Sequence, residues 1–470
     1  MSQVTRQTKQ DEPTRVKRRG LFLFTIALGV LLNPLNSSLI AVAMTRFQHV
    51  FHVSFTTASW LISSYYLASA IAQPIMGRLA DLLGRKRLFL IGLVLVAGSC
   101  ILAPFSPSFA WLIVFRLIQS FGSGAVYPAG MGIVQHVITE RQSQALAILA
   151  VFSSGAAAFG PSIGGIAMHY FDWQGIFWVN FPFTIASFLF AIWVLPSDRR
   201  SRRTTNAPTT DANRSRSVIQ QMDIPGILLF TVGIVAALLF LLSLTGHIRW
   251  WALPLSVLGF AAFSWREQRT RHPFLSFNLF RQNLPLTGVL VQFTVVNIIF
   301  YSVFFGMPTY LQEVRLFDTQ QTGLLMLCIA GFSVITSPIT GRWVAKSGSR
   351  PPLILAGCLM VTGSLLYLTL HGHSPVWWLV IVLSVMGLSN GFNNVGLQTA
   401  LFRVSPKEII STASGLFQMA RYMGTILSTI LLGFLFGPHL STANLHTLGI
   451  VLVAMGCLVI FMSWRLPRTS

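Results

Sequence analysis

Two arginines, Arg116 and Arg421, stand inside long apolar runs of this 470-residue chain. A cation inside such a run costs about 3 kcal/mol or more unless it is paired or hydrated, so it marks a binding or coupling site. Gln119 follows Arg116 by one helical turn. Asn36 lies about as far from the end of the first run as Arg116 does from the start of the fourth. At about 1.5 Å of rise per residue the two share one depth and are within hydrogen-bonding reach if their helices adjoin. Asn36 is an amide, which accepts hydrogen bonds and does not titrate. The proton-binding candidates are therefore carboxylates at the ends of runs, Asp81 and Glu313. Neither is at mid-run, and a helix-end charge is the plainer reading of each. With two inner cations and no inner acid, the site favours neutral, zwitterionic or anionic partners over cations. No metal-ligand spacing is present. The cysteines Cys100, Cys328, Cys358 and Cys457 are scattered in apolar runs and read as packing residues.

The elements that must hold these residues are membrane helices. The chain is 53% hydrophobic and 10% charged, with mean hydropathy +0.66; a soluble protein carries about 25% charge. Fourteen runs of spanning length can be drawn, near 21–45, 56–76, 87–105, 109–133, 143–169, 174–195, 224–244, 250–265, 285–310, 321–345, 352–371, 375–399, 408–436 and 446–465. The formal charge is +21, but its distribution excludes nucleic acid. Arg46, Arg249 and Arg315 are the only Lys or Arg in alternate loops, and Arg116 and Arg421 lie within runs; the rest fall on the other side. That asymmetry places both termini in the cytoplasm, with the basic face against anionic lipid headgroups.

The sharpest local pattern runs from Gly77 to Arg87. Gly77, Arg78, Asp81, Gly84 and Arg85 pack two glycines, a carboxylate and cations into one turn between runs. The glycines allow a turn where a side chain would clash, and Asp81 can pair with a cation or cap a helix start. Pro74-Ile-Met-Gly77-Arg78 returns 264 positions later as Pro338-Ile-Thr-Gly341-Arg342, and at that offset Gly84 meets Gly348 and Lys86 meets Arg350. A parallel repeat of this kind signals two six-helix bundles. The expected layout is a cytoplasmic tail (1–20), a first bundle (21–196), a linker with two inserted helices (197–283), a second bundle (284–466) and a cytoplasmic C-tail (467–470).

These features resemble the 14-span drug:proton antiporter branch of the major facilitator superfamily. The hinge resembles its G-x-L-A-D-x-x-G-R-K/R loop. Span four resembles its R-x-x-Q-G-x-G motif, with Ser120 replacing a glycine. Gly160-Pro161-Ser162-Ile163-Gly164-Gly165 matches its G-P-x-x-G-G antiporter motif. The branch usually carries an aspartate where Asn36 stands. The resemblance implies an all-α polytopic fold and a bacterial plasma-membrane location. It implies proton-coupled efflux of amphipathic drugs from a monomer, with antibiotic resistance as the consequence. It also implies that the glycine face at 160–165 seals one bundle against the other, with gating hinges at Gly77–Arg85 and Gly341–Arg350. No cofactor is expected, and no nucleotide-binding or hydrolase motif argues for an enzyme. Two alternatives stand beside it: an exporter of an anionic, lipid-like or metabolite substrate, and a non-transporting scaffold or sensor.

Overall fold

The computed structural model describes residues 19–53, 55–58, 60–138, 140–196, 223–243, 248–270, 283–317, 319–436 and 441–466. Residues 1–18 of the expected N-tail, the C-tail and about half of the linker lie outside the described residues. The regular structure of the described residues is all helical, with no strand among them. Ten helical stretches are long and apolar enough to cross a membrane by length and composition, fewer than the fourteen runs drawn from the sequence.

The first group of helices is α1 (Arg19–Val30), α2 (Leu32–Val42), α3 (Met44–Phe51), α4 (Phe55–Ala58), α5 (Trp60–Leu83), α6 (Arg85–Leu102), α7 (Phe109–Val137), α8 (Gln142–Phe171), α9 (Gly175–Trp178) and α10 (Asn180–Val194). Then come α11 (Ile224–Ser243) and α12 (Ala252–Arg269), followed by α13 (Leu284–Glu313), α14 (Thr319–Ser347), α15 (Arg350–Tyr367), α16 (Val376–Val404), α17 (Ile410–Phe436) and α18 (Thr442–Arg465). The first expected span is broken at Leu31 into α1 and α2.

One apolar core gathers Phe22, Leu93, Val126, Leu146 and Phe177; a second gathers Val289, Val303, Leu383, Phe417 and Leu452. The two groups meet along two seams, α5 with α17 and α8 with α14. Each seam thus joins a second helix of one group to a fifth helix of the other, the arrangement a two-fold repeat demands.

The repeated glycines explain the seams. A side chain at Gly77 would run into the Ser411 carbonyl, and one at Gly341 would lie 2.7 Å from Ala147 Cβ and 2.9 Å from the Ser143 carbonyl oxygen. Both sit inside helices, so neither makes a turn as the sequence suggested; they permit close helix approach. The turning glycines are Gly84, with φ 112°, and its repeat partner Gly348, with φ 77°.

The α11–α12 pair lies against the α5–α17 seam. Phe230, Ile234 and Leu238 of α11 share an apolar cluster with Ile71 of α5 and Ile426 and Ile430 of α17. No corresponding pair among the described residues covers the α8–α14 seam.

Candidate functional site

Arg116 is sealed inside the first helical group, 1% exposed. Its Nη1 donates to Gln119 Oε1 at 2.5 Å, one turn along α7, the reach that i, i+3 spacing allows. Gln119 Nε2 in turn donates to Asn36 Oδ1 of α2 at 3.0 Å and to Cys100 Sγ at 3.3 Å. The depth match of Asn36 and Arg116 holds, but the contact runs through Gln119 rather than directly. The guanidinium lies 4.3 Å above the Tyr65 ring, which supplies electron density where an acid would otherwise be needed.

Tyr65 carries the network across to the second group. Its hydroxyl is 2.9 Å from Ser123 Oγ, to which Asn33 Nδ2 donates at 3.5 Å. Tyr422 of α17 donates its hydroxyl to Asn33 Oδ1 at 2.8 Å. A further cross-group bond runs from Gln398 Nε2 of α16 to the Tyr127 hydroxyl at 2.6 Å. Sequence reasoning gave Tyr65 only an aromatic surface and Cys100 only packing, and passed over Tyr127 and Tyr422. Their signal was only polar or aromatic character within an apolar run.

Arg421 lies apart from Arg116. It is half-buried, donates to Asn394 Oδ1 at 3.2 Å and sits 5.5 Å from the Phe293 ring. Neither arginine forms a salt bridge among the described residues. Of the other amides within apolar runs, Asn390 and Asn394 are half-exposed on one stripe of α16 with Gln398. Gln292 instead donates to Ser463 Oγ of α18, and Asn393 to its own helix, and both are fully buried.

The segment from Gly77 to Arg85 forms a compact knot. Asp81 pairs with Arg85 at 3.2 Å and accepts from the Thr412 backbone N–H at 2.9 Å and hydroxyl at 3.0 Å. Both roles read from the sequence, pairing and capping, are filled, and the capped helix belongs to the opposite group. Arg85 Nη1 also donates to the Gly132 carbonyl at 3.1 Å, and a side chain at Gly132 would strike Ser411. Asp81 lies beyond its apolar run. Burial pushes its carboxyl above the ordinary carboxylate range, against the downward pull of Arg85 and the Thr412 N–H. Arg78 is half-buried, Arg342 is exposed, and Arg350 lies 5.5 Å from the Trp464 ring.

The same face is closed elsewhere. Ser143 Oγ donates to the Gly341 carbonyl at 2.8 Å, and Gln135 Nε2 to the Phe402 carbonyl at 3.1 Å. Toward the opposite face the α8–α14 seam parts. Gly155 and Gly165 of α8, and Gly323 and Gly331 of α14, have nothing within 4 Å of where a side chain would start. The glycine face at 160–165 does not seal the two groups here. A side chain at Gly160 would strike Ser38, and one at Gly164 would meet Leu39 at 3.1 Å, both on α2 of the same group. The side chain of Pro161 lies outside the described ones. Glu313 is exposed at the end of α13 and takes no part in the network.

A helical membrane protein with two groups closed on one face and parted on the other is the architecture of a secondary transporter. The chain belongs to the Major Facilitator Superfamily, whose family model matches residues 26–429. It is 43% identical over 449 residues to the uncharacterized MFS-type transporter YwoD of Bacillus subtilis, covering 96% of this chain and 97% of the relative. It is 26% identical over 420 residues to the tetracenomycin C resistance and export protein of Streptomyces glaucescens, covering 88% and 75%. Its fold is shared with the proton:xylose symporter XylE, with a TM-score of 0.67 at 13% identity over 96% of each chain. The human organic anion transporter MFSD10 shares it too, with a TM-score of 0.64 at 16% identity over 94% and 99%.

Proposed function

We propose that the protein exports small amphipathic compounds by alternating access in a bacterial plasma membrane. Fourteen spans, arranged as six, two and six with bundles at 21–196 and 284–466, form the moving parts. The hinge face is cytoplasmic, on the argument from Lys and Arg distribution. The observation that carries the reading is the contrast between the two faces: Asp81–Thr412 and Ser143–Gly341 close one, while Gly165 and Gly323 stand free at the other. The tetracenomycin C export protein and the multidrug resistance protein Stp of Mycobacterium tuberculosis, 28% identical over 436 residues, support efflux as the direction. Protons are the coupling ion that the family resemblance implies, with Asp81 the candidate to exchange them.

Arg116→Ala tests the reading. Efflux of a fluorescent dye from cells should fall by about tenfold or more while membrane insertion is unchanged, since the substitution strips Gln119 and Tyr65 of their partner. Undiminished efflux rejects Arg116 as part of the passage. Reconstituted vesicles with and without a proton gradient separate a coupled exporter from a scaffold that moves nothing.

A second reading keeps the fold and changes the cargo to an anion. It is favoured by Arg421, which is half-buried and has no carboxylate partner among the described residues.

A further inference from the structure

The two inner arginines are placed for different tasks. Arg116 is enclosed on all sides, its guanidinium covered by Tyr65 and Gln119, so it cannot touch cargo. Arg421 is half-buried. One of its nitrogens is bonded to Asn394, a neutral acceptor. A guanidinium carries five N–H donors in a planar fork, so most of this one's capacity is left for an incoming acceptor. Phe293, stacked on Phe417 with ring centroids 3.6 Å apart, forms a platform behind it. The Asn394 partner of Arg421 lies one turn before Gln398, which donates to the Tyr127 hydroxyl of the opposite group at 2.6 Å, so this stripe of α16 faces the first group.

The cleft walls near it are aromatic. Tyr66 of α5 is half-buried, its ring 5.7 Å from that of Tyr422, the residue after Arg421. Tyr301, about two helical turns along α13 from Phe293, is also half-buried. It has Phe300 against it at 5.2 Å. Planar rings seat well against such faces, and a fork of N–H donors matches a carboxylate or sulfonate through two parallel bonds. A cationic ligand would meet Arg421 with no acid to offset it.

We propose that the cleft is a binding site for planar aromatic organic anions, with the acid group on Arg421 and the ring system against Tyr66 and Tyr301. This deepens the export reading and rests on its cleft, but binding can be measured without transport.

The test is calorimetric titration of the purified full-length protein in lipid nanodiscs. The probes are 2-naphthoate, 2-naphthyltrimethylammonium, 2-naphthylmethanol and decalin-2-carboxylate. Naphthoate should bind more tightly than the other three, by about tenfold over the ammonium. Arg421→Gln should weaken naphthoate by about tenfold and leave naphthylmethanol within about twofold, and Arg421→Lys should recover part of the loss. Tyr66→Leu should narrow the preference for naphthoate over its saturated counterpart. Equal or tighter binding of the ammonium overturns the proposal, as does no binding of naphthoate or equal weakening of naphthoate and naphthylmethanol by Arg421→Gln. Monodisperse elution and Arg421→Lys guard against a folding defect. Naphthoate binding without efflux from proteoliposomes overturns the export reading and leaves the site standing. Dye efflux without naphthoate binding does the reverse.

Discussion

The Asp81 carboxylate takes two hydrogen bonds from Thr412, at 2.9 Å from its backbone nitrogen and 3.0 Å from its hydroxyl. Thr412 lies in the first turn of α17, where backbone N–H groups are free and the helix dipole is positive. A single carboxylate thus fastens one helical group to the other at the hinge face. Arg85 from α6 and Ser411 and Thr412 from α17 are the groups that face it.

The first prediction concerns pH. Burial in the closed seam raises the Asp81 carboxyl above its ordinary range. Opening the seam hydrates it and returns it toward that range. The closed state therefore holds the proton more tightly, and acidification through the window between the two values shifts the population toward closure. Above that window this group contributes no pH dependence. Spin-label distances across the hinge face, followed from about pH 8 to about pH 4, should show the closed fraction rising in the native chain and flat in Asp81→Asn. A closed fraction that falls on acidification contradicts this assignment.

Gly415→Val should hold the hinge face open. A side chain at Gly415 would run into the Gln73 carbonyl, and backbone on both sides cannot yield. Cysteine-labelling reagents applied to the hinge face should then reach the cleft, and efflux should drop by about tenfold or more. Labelling as slow as in the native chain would mean that the seam closes some other way.

Closure of the opposite face should bring Gly165 and Gly323 together. Ala147 and Gly341 already touch in the α8–α14 seam, and Gly165 and Gly323 lie five helical turns from them, on the same faces of antiparallel helices. A Gly165→Cys, Gly323→Cys pair should form a disulfide during turnover and stop transport, with activity restored by reductant. Equal oxidation in a chain locked closed at the hinge face would refute the motion.

Asn36→Asp tests the electrostatics of the buried cation. The new carboxylate would keep its bond from Gln119 and place a negative charge one residue from the Arg116 guanidinium. Because Arg116 is buried without an acid, the variant should gain about 1–3 kcal/mol of stability, seen as a raised melting temperature in detergent. An unchanged or lowered value would show that Tyr65 already meets the need.

Much of this was legible in the chain. The repeat at Pro74–Arg78 and Pro338–Arg342 pointed to paired elements, and both glycines prove to be seam contacts. Arg116 stood out because a charge in an apolar run has so few bland explanations. Tyr65, Tyr422 and Cys100 did not, since in a chain that is 12% aromatic each looks like filler. Helical periodicity gives the face a residue occupies but not the neighbour it meets. The sequence therefore shows Gln292 and Asn393 as polar residues in apolar runs but not their partners, Ser463 of α18 and the turn before Asn393. The glycines at 160 and 164 announced a close approach, but the partner that the resemblance implied, the opposite bundle, is not the one they meet, which is α2 of their own group.

The α11–α12 pair leaves the molecule with unlike flanks. Phe230, Ile234 and Leu238 bridge Ile71 and Ile426, residues that belong to opposite sides of the moving joint. That flank is splinted and must slide on an oiled bearing each time the joint swings. Among the described residues the α8–α14 flank carries no such pair, so acyl chains have their freer access to the joint on that side. The thickness and stiffness of the surrounding bilayer therefore act on the machine from one edge, like a hand on one leaf of a door.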